Sequence, residues 1–338
     1  ILMPAGKRTL SQWVKFANSL RLRLAIRVSM SAPDLARAEV AKAMDATAGG
    51  VLESADETVA VSTESGYKNP LGTVNEGWGE VFMGATMESV LVGYNDPRLI
   101  KYYSKAEGGD IKDEKGNLII AERNKIAGTY KGVPQGTGVT VKDENRYRLH
   151  SKSTITKQTD AILMTAAEVW FLRAEAALRG FTSENVKDCY EKGITVSCQQ
   201  WGVNVGDYLT SDATPSDYVD AFEAKYDVKA LIKVTPKWDG GASPEEQLER
   251  ILTQKWIACY PEGYEAWTEQ RRTGYPQLFK VFVNNSGGAI DTNIRIRRLP
   301  YPSDIQKNNP TQYSALKKAL GGEDNGGTRL WWDTGRNF

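Results

Sequence analysis

The side chains best suited to chemistry in this sequence are aromatic rings in loop segments rich in glycine, asparagine and aspartate. A ring in such a segment has no periodic apolar face to join, which favours exposure and availability to a ligand. Flat rings can stack on the C–H faces of sugars, while nearby Asn and Asp side chains fix the hydroxyl groups. The alternative, a ring folded back against the core, stays open for each of them. Five residues form this predicted ligand-binding set: Tyr67, Trp78, Tyr147, Tyr208 and Trp238.

Residues for acid–base or nucleophilic catalysis are sparse. The chain has one histidine, His150, which removes most Ser-His-Asp, Cys-His and metal–histidine schemes. Glu168 and Glu175 share one predicted helix face, but flanking alanines and Arg173 favour a solvated or ion-paired face over a catalytic pair. We therefore predict no enzymatic activity and no cofactor. Four aspartates between 202 and 242 lack the spacing of an EF-hand and only weakly favour a structural calcium ion: Asp207, Asp212, Asp217 and Asp220.

Charge and hydropathy exclude several other classes of protein. The 338 residues include 43 Lys and Arg against 42 Asp and Glu, a net charge of +1, which argues against a nucleic-acid binder that neutralises phosphates. No apolar run approaches the roughly 18 residues of a membrane span. Three cysteines are too few for a disulfide scaffold. These features are typical of a globular protein with a large core.

The segment 243–276 carries the strongest local signals. Ser243 and Glu246 have the spacing of a capping box, and Pro244 stands at the first helical position. Apolar residues then recur at helical spacing until Pro261 and Gly263, after which a second, aromatic-rich helix begins. The spacing predicts two helices joined by a tight turn and packed at a sharp angle.

Helical patterns recur along most of the chain. Further helices are predicted over 11–31, with Trp13 and Leu24 on its apolar face, over 160–180, and after Ser183 and Asn309. The pair that starts at 160 has about the length of a tetratricopeptide unit, which must stack on other helix pairs. Residues 51–80 are predicted to be irregular, and 279–283 and 293–299 to be strands. The predicted architecture is mainly α, with a helical core over about 11–104, 159–201 and 243–320, and with loop and small β-hairpin excursions over about 105–158 and 202–242.

Several long segments resemble the SusD/RagB family, in its SusD-like branch. They follow the order of the family's motifs from Trp13 to Asp333: WVKFANSLRLRLAIR, YNDPRLIKYY, TYKGVPQG, QKWIACYPEGYEAWTEQRRTGYPQLFKV and RIRRLPYPSDIQKNNPTQY. The resemblance implies one SusD-like domain, 1–338, with tetratricopeptide-like helix pairs. It also implies a lipoprotein at the cell surface, on the outer membrane.

The function implied by the resemblance is capture of a nutrient, commonly an oligosaccharide, for a SusC-like TonB-dependent transporter. Family members carry an export signal and a lipid-attachment cysteine, which this chain lacks near its start, so we interpret it as a C-terminal portion. The family's binding rings lie on divergent loops, so the ligand-binding set rests on the residues alone. The alternative function is a helical-repeat module that binds a protein or peptide. An enzymatic function would need two close carboxylates in a cleft.

Overall fold

Helices make up most of the regular structure. The computed structural model describes Met3, Gly6 and residues 9–121, 125–138 and 146–338. The helices in these residues are Leu10–Arg27 (α1), Pro33–Ala43 (α2), Pro70–Trp78 (α3), Ala85–Gly93 (α4), Leu99–Tyr102 (α5), Ala166–Leu178 (α6), Val186–Gln200 (α7), Pro244–Ala258 (α8), Gly263–Thr273 (α9), Ser303–Asn308 (α10) and Pro310–Leu320 (α11). The strands are Val59–Val61 (β1), Ile111–Lys112 (β2), Leu118–Ile120 (β3) and Ala161–Met164 (β4). Strand β1 pairs with β4 and β2 with β3, both antiparallel.

Helix pairs build the core, as the sequence predicts. Helix α6 packs against α7, α8 and α1, and α1 packs against α2. Their inward faces form one continuous apolar cluster that includes Ile26, Phe171 and Ile251. The small residue Gly193 lets α7 approach α6 closely, since a Cβ there would lie 2.8 Å from the ring of Phe171. The predicted mainly α architecture, with a hairpin at β2–β3, is confirmed.

The two helices of the segment 243–276 form as predicted. Ser243 and Glu246 make the capping box, with the Ser243 hydroxyl accepting from the Glu246 amide and the Glu246 carboxylate accepting from the Ser243 amide. Helix α9 is unusual because its buried face is largely charged, and includes Glu265, Glu269 and Arg272. The aromatic residues of α9 therefore lie away from that face.

The charged face of α9 meets ionic partners from three other helices. Lys255 of α8 lies 3.1 Å from Glu265 and 3.3 Å from Glu269. Arg27 of α1 lies 2.8 Å from Glu265. Glu175 of α6 accepts two hydrogen bonds from Arg272, both of 2.7 Å. Glu168 is also buried, 2.5 Å from Arg23, so the predicted carboxylate pair serves ion pairs and is not solvated.

Several predictions about local structure were wrong. In α1, Leu24 is 56% exposed, and the buried residues are Ser19, Leu22, Ala25 and Ile26, so the inward face is rotated from the predicted one. The predicted helix 160–180 is strand β4 followed by α6, because β1 provides an antiparallel partner. The described backbone over 279–283 and 293–299 has no strand pairing. The region 51–80 contains α3, which Asn69 caps through the Leu71 amide and whose glycines masked the helical pattern.

Other expectations from the sequence concern membrane crossing, a bound metal ion and the domain boundaries. No helix among the described residues has the length and apolar character that a bilayer crossing needs. The described residues contain no cluster of three acidic, histidine or cysteine side chains placed to hold a metal ion. The single-domain boundaries and the calcium ion stay predictions.

Two glycines of α3 provide a matched test of how that helix is held. A Cβ on Gly72 would overlap the backbone carbonyl of Thr156, whereas one on Gly77 would meet no atom within 4 Å. Gly72→Ala is expected to lower the free energy of unfolding by about 1–3 kcal/mol through overpacking. Gly77→Ala should leave it unchanged or raise it by up to about 1 kcal/mol. Urea unfolding measures both, and equal effects would contradict the close approach.

Candidate functional site

Two of the five predicted rings are accessible beside α3. Trp78, the last residue of α3, is 63% exposed, and Gly79 ends the helix in the left-handed conformation (φ 66°). Tyr67 is half-buried and precedes the N-cap Asn69 by two residues. A helix of nine residues is about 13 Å long at 1.5 Å per residue. The two rings therefore flank opposite ends of α3 and do not form one stacking platform.

The Lys152 ammonium lies close to the C-terminal end of α3, since a Cβ built on Gly79 would lie 3.9 Å from it. The same ammonium lies 5.9 Å from the ring centre of Phe82 and 3.5 Å from a Glu107 carboxylate oxygen. The side-chain amide of Asn75 donates to the carbonyls of Ser153 and Ile155 at 2.7 and 2.9 Å, which fixes α3 against this segment. This end of α3 thus presents an exposed indole with polar neighbours.

The other three predicted rings are built into the interior. Tyr208 is 5% exposed, and its hydroxyl donates to Asp96 at 2.7 Å and accepts from Gln254 at 2.9 Å. Tyr147 is 1% exposed and packs with the rings of His150 and Phe222. The prediction of exposed rings was wrong for Tyr208 and Tyr147, because distant elements cover both loops.

Trp238 is intermediate between these cases. Its ring is half-buried and packs against Tyr190 at a centroid distance of 5.2 Å. The surrounding segment 202–242 lies on the helices, since Tyr94 and Tyr190 donate to the carbonyls of Val234 and Pro236. The segment predicted as an excursion therefore covers the core, and one side of the Trp238 ring is unavailable to a ligand.

A cleft with a volume of about 700 Å³ lies where α4 begins, between α8, α9 and the segment 278–296. Its apolar lining includes Trp256 of α8 and Trp267 of α9. Polar side chains on other parts of the lining are amides, hydroxyls and one guanidinium, among them Gln135, Asn284 and Arg295. Pockets of this size with aromatic walls and a few polar groups are typical ligand sites.

The indole of Trp267 is held in one orientation. Its Nε1 donates to the Ile296 carbonyl at 3.1 Å, and the guanidinium carbon of Arg271 lies 3.6 Å from a ring centre. Burial, followed by repulsion from Arg27 and Arg297, lowers the pKa of Arg271 to about 10. A fixed ring costs little conformational entropy when a flat ligand stacks on it.

Sequence reasoning missed both tryptophans of the cleft. Trp256 and Trp267 fit the helical patterns of the segment 243–276, which predict that its two helices pack on each other. A usable signal was the charge pattern of α9, in which Glu265, Glu269 and Arg272 recur at helical spacing. If this charged face had been recognised as the buried one, Trp267 would have been predicted to lie away from it.

Comparison with known proteins identifies the class to which this fold belongs. The family model for "Susd and RagB outer membrane lipoprotein" matches residues 5–333. The chain therefore belongs to the SusD-like family, and the sequence resemblance is confirmed. No protein with a curated description matches the sequence.

Solved structures of SusD homologues share the fold. A homologue from Bacteroides vulgatus is 52% identical with a TM-score of 0.89, over 98% of this chain and 64% of that one. A chitin-binding homologue from Flavobacterium johnsoniae is 37% identical with a TM-score of 0.86, over 96% and 64%. One from Bacteroides thetaiotaomicron is 33% identical with a TM-score of 0.84, over 97% and 67%. The chain thus spans about two thirds of the length of these relatives.

Proposed function

We propose that this protein binds an oligosaccharide at the cell surface and delivers it to a SusC-like TonB-dependent transporter, without catalysis. The observation that carries the proposal is the cleft, in which the indoles of Trp256 and Trp267 face a cavity that also contains amide side chains. Aromatic planes suit the C–H faces of sugar rings, and amides suit their hydroxyls. The chitin-binding relative and a family of outer-membrane lipoproteins support the ligand class and the location.

Trp78 and Tyr67 extend this proposal beyond the cleft. Trp78 is the more exposed of the two, and it is suited to contact further sugar units of a longer chain. Half-buried Tyr67 would contribute one face only. This assignment makes α3 a secondary contact, and the cleft the main binding site.

Replacing the fixed indole should weaken glycan binding. Trp267→Ala is expected to reduce the affinity for the best glycan found in an array screen about tenfold or more, roughly 1.4 kcal/mol, because the stacking plane is lost. Isothermal titration calorimetry measures the effect. Trp13→Ala on α1 is the control for an exposed tryptophan outside the cleft and should bind as the unaltered protein does.

The same titration with Trp78→Ala separates the two surfaces. If Trp78→Ala abolishes binding while Trp267→Ala binds normally, the main site lies beside α3 and the cleft assignment is wrong. Trp78→Ala is expected to weaken long oligosaccharides only.

The alternative function, a protein- or peptide-binding module, is favoured by one observation. Leu10, Leu24 and Leu35 on α1 and α2 are 81%, 56% and 54% exposed, and α1 packs against α2. Exposed apolar side chains that form a contiguous patch are typical of a surface that packs against another polypeptide. Such a surface also suits a protein that works beside a transporter. Absence of binding to every glycan, together with capture of a peptide, would favour the alternative.

A further inference from the structure

A second pocket, of about 380 Å³, adjoins the cleft and has an unusual charge. The two cavities share Gln270, Leu278, Thr292 and Arg295 in their linings. Six of the side chains that line the second pocket are basic, and none of the described residues that line it is acidic. The basic residues are Arg271, Arg272, Lys280, Arg295, Arg297 and Arg329. A ligand that fills the cleft can therefore reach a cationic pocket.

Three of the six basic groups have carboxylate partners. Arg272 pairs with Glu175 and Glu269, whereas Arg297 and Arg329 share the single carboxylate of Asp333. None of these carboxylates lines the pocket. Even among the three paired residues, positive charge exceeds negative charge at Asp333, where one carboxylate faces two guanidinium groups.

The other three make no ion pair with any described residue. Arg271 is 7% exposed and donates to the Arg297 carbonyl at 2.6 Å and the Thr268 hydroxyl at 3.0 Å, both neutral acceptors. Arg295 donates to the Gln135 side chain and the Phe279 carbonyl. Lys280 is exposed and lies 5.1 Å from the ring centre of Phe282. A buried cation without a carboxylate is costly, and an anion brought by a ligand would offset that cost.

The backbone at Arg295 also indicates a functional position. Its φ is 63°, in the left-handed region that non-glycine residues rarely occupy. Burial lowers the pKa of Arg295. Strained residues of this kind cluster at ligand sites, and Arg295 lines both cavities.

We infer that the oligosaccharide carries an anionic group, a carboxylate or a sulfate ester, which the arginine-lined pocket holds while the sugar rings occupy the cleft. This inference rests on the proposed function and narrows it to acidic glycans. Planar guanidinium groups bind carboxylate and sulfate oxygens through paired hydrogen bonds. No bond is made or broken in the protein, since the step is binding only.

A glycan array holding carboxylated and sulfated glycans beside their uncharged counterparts tests the inference on the whole chain. We expect hits among the acidic glycans, with at least tenfold weaker binding of the matched neutral ligand by calorimetry. Binding of the acidic ligand should weaken between about 50 and about 500 mM sodium chloride, because salt screens charge, while the neutral ligand should not respond. Comparison of carboxylated with sulfated hits identifies the anion.

Variants then locate the anion. Lys280→Gln should reduce the preference for the acidic over the neutral ligand about threefold, and Arg295→Gln about tenfold, with Lys280→Arg close to the unaltered protein. Lys192→Gln, the same change at an exposed lysine of α7 outside both cavities, should have no effect. If Arg295→Gln fails to fold, exposed Lys280 still carries the test.

The outcomes separate the inference from the proposed function. Equal binding of acidic and neutral partners, or an unchanged preference in whichever of the Lys280→Gln and Arg295→Gln variants fold, would overturn the acidic-glycan inference and leave glycan binding intact. Absence of every glycan hit would overturn the proposed function and this inference with it.

Discussion

Arg272→Met is expected to lower the free energy of unfolding by about 3–5 kcal/mol, the cost of removing one partner from a buried ion-pair network. Arg272 is 2% exposed and contacts Glu175 at 2.7 Å and Glu269 at 2.6 Å. Although burial alone would raise it, Arg272 and Lys255 hold the pKa of Glu269 well below its usual range. Removing Arg272 leaves Lys255 and Arg27 as the only nearby cations for Glu269 among the described residues.

Chemical denaturation at neutral pH measures this loss, and Arg21→Met is the matched control. Arg21 forms a 2.6 Å ion pair with Glu39 at the surface, where its side chain is 43% exposed. Exposed pairs contribute about 0–1 kcal/mol. Glu269→Gln added to Arg272→Met should recover part of the loss, because it removes one of the two carboxylates that lose their ion pair with Arg272. Similar effects of Arg272→Met and Arg21→Met would show that the buried network does not hold the four helices together.

Acid should destabilise the protein through His150, the second large expected effect. His150 is 1% exposed, and neither ring nitrogen contacts a hydrogen-bond partner among the described residues. Burial, with a smaller contribution from Lys131, lowers its pKa to about 3. The unfolded chain binds the proton near pH 6.5 and the folded chain only near pH 3, so stability falls as pH drops through this window. At pH about 4.5 the loss from this group is roughly 2–3 kcal/mol.

A variant without the histidine separates the effect of His150 on stability from that of the carboxylates, which also titrate in acid. His150→Phe keeps a ring beside Tyr147 and Phe222 and removes the titrating group. Urea unfolding measures the free energy of unfolding at about pH 7 and pH 4.5. The loss between these two pH values should be smaller by about 2–3 kcal/mol in the variant than in the unaltered protein. Parallel curves for the two proteins would contradict a neutral buried histidine.

Local patterns were enough to predict the helices that carry their own start and stop signals. Ser243, Glu246 and Pro244 set the start of α8, and Asn309 and Pro310 the start of α11. These signals act within one turn of helix, so a single segment contains all the information needed. Strand β4 was missed for the opposite reason, since its partner β1 lies about a hundred residues earlier.

The candidate site was less predictable than the scaffold. Loop composition predicted both Trp78 and Tyr147 to be available to a ligand, yet Trp78 is exposed at the end of α3 and Tyr147 is buried. The cationic pocket was not predicted, because it brings together Arg271 on α9, Lys280 and Arg295 on a loop, and Arg329 near the C-terminus. Seen singly, each of these residues resembles an ordinary surface charge.

By itself the sequence determined a helical-hairpin protein of the SusD-like family, because caps, periodicity and motif order are written in contiguous residues. Only the tertiary structure decided which rings and which charges are available to a ligand. Exposure depends on contacts between residues far apart in the chain, such as the Tyr208 hydroxyl on Asp96, 112 positions away. The same packing that buries the ionic face of α9 turns Trp267 toward the cleft, and no local pattern contains that information.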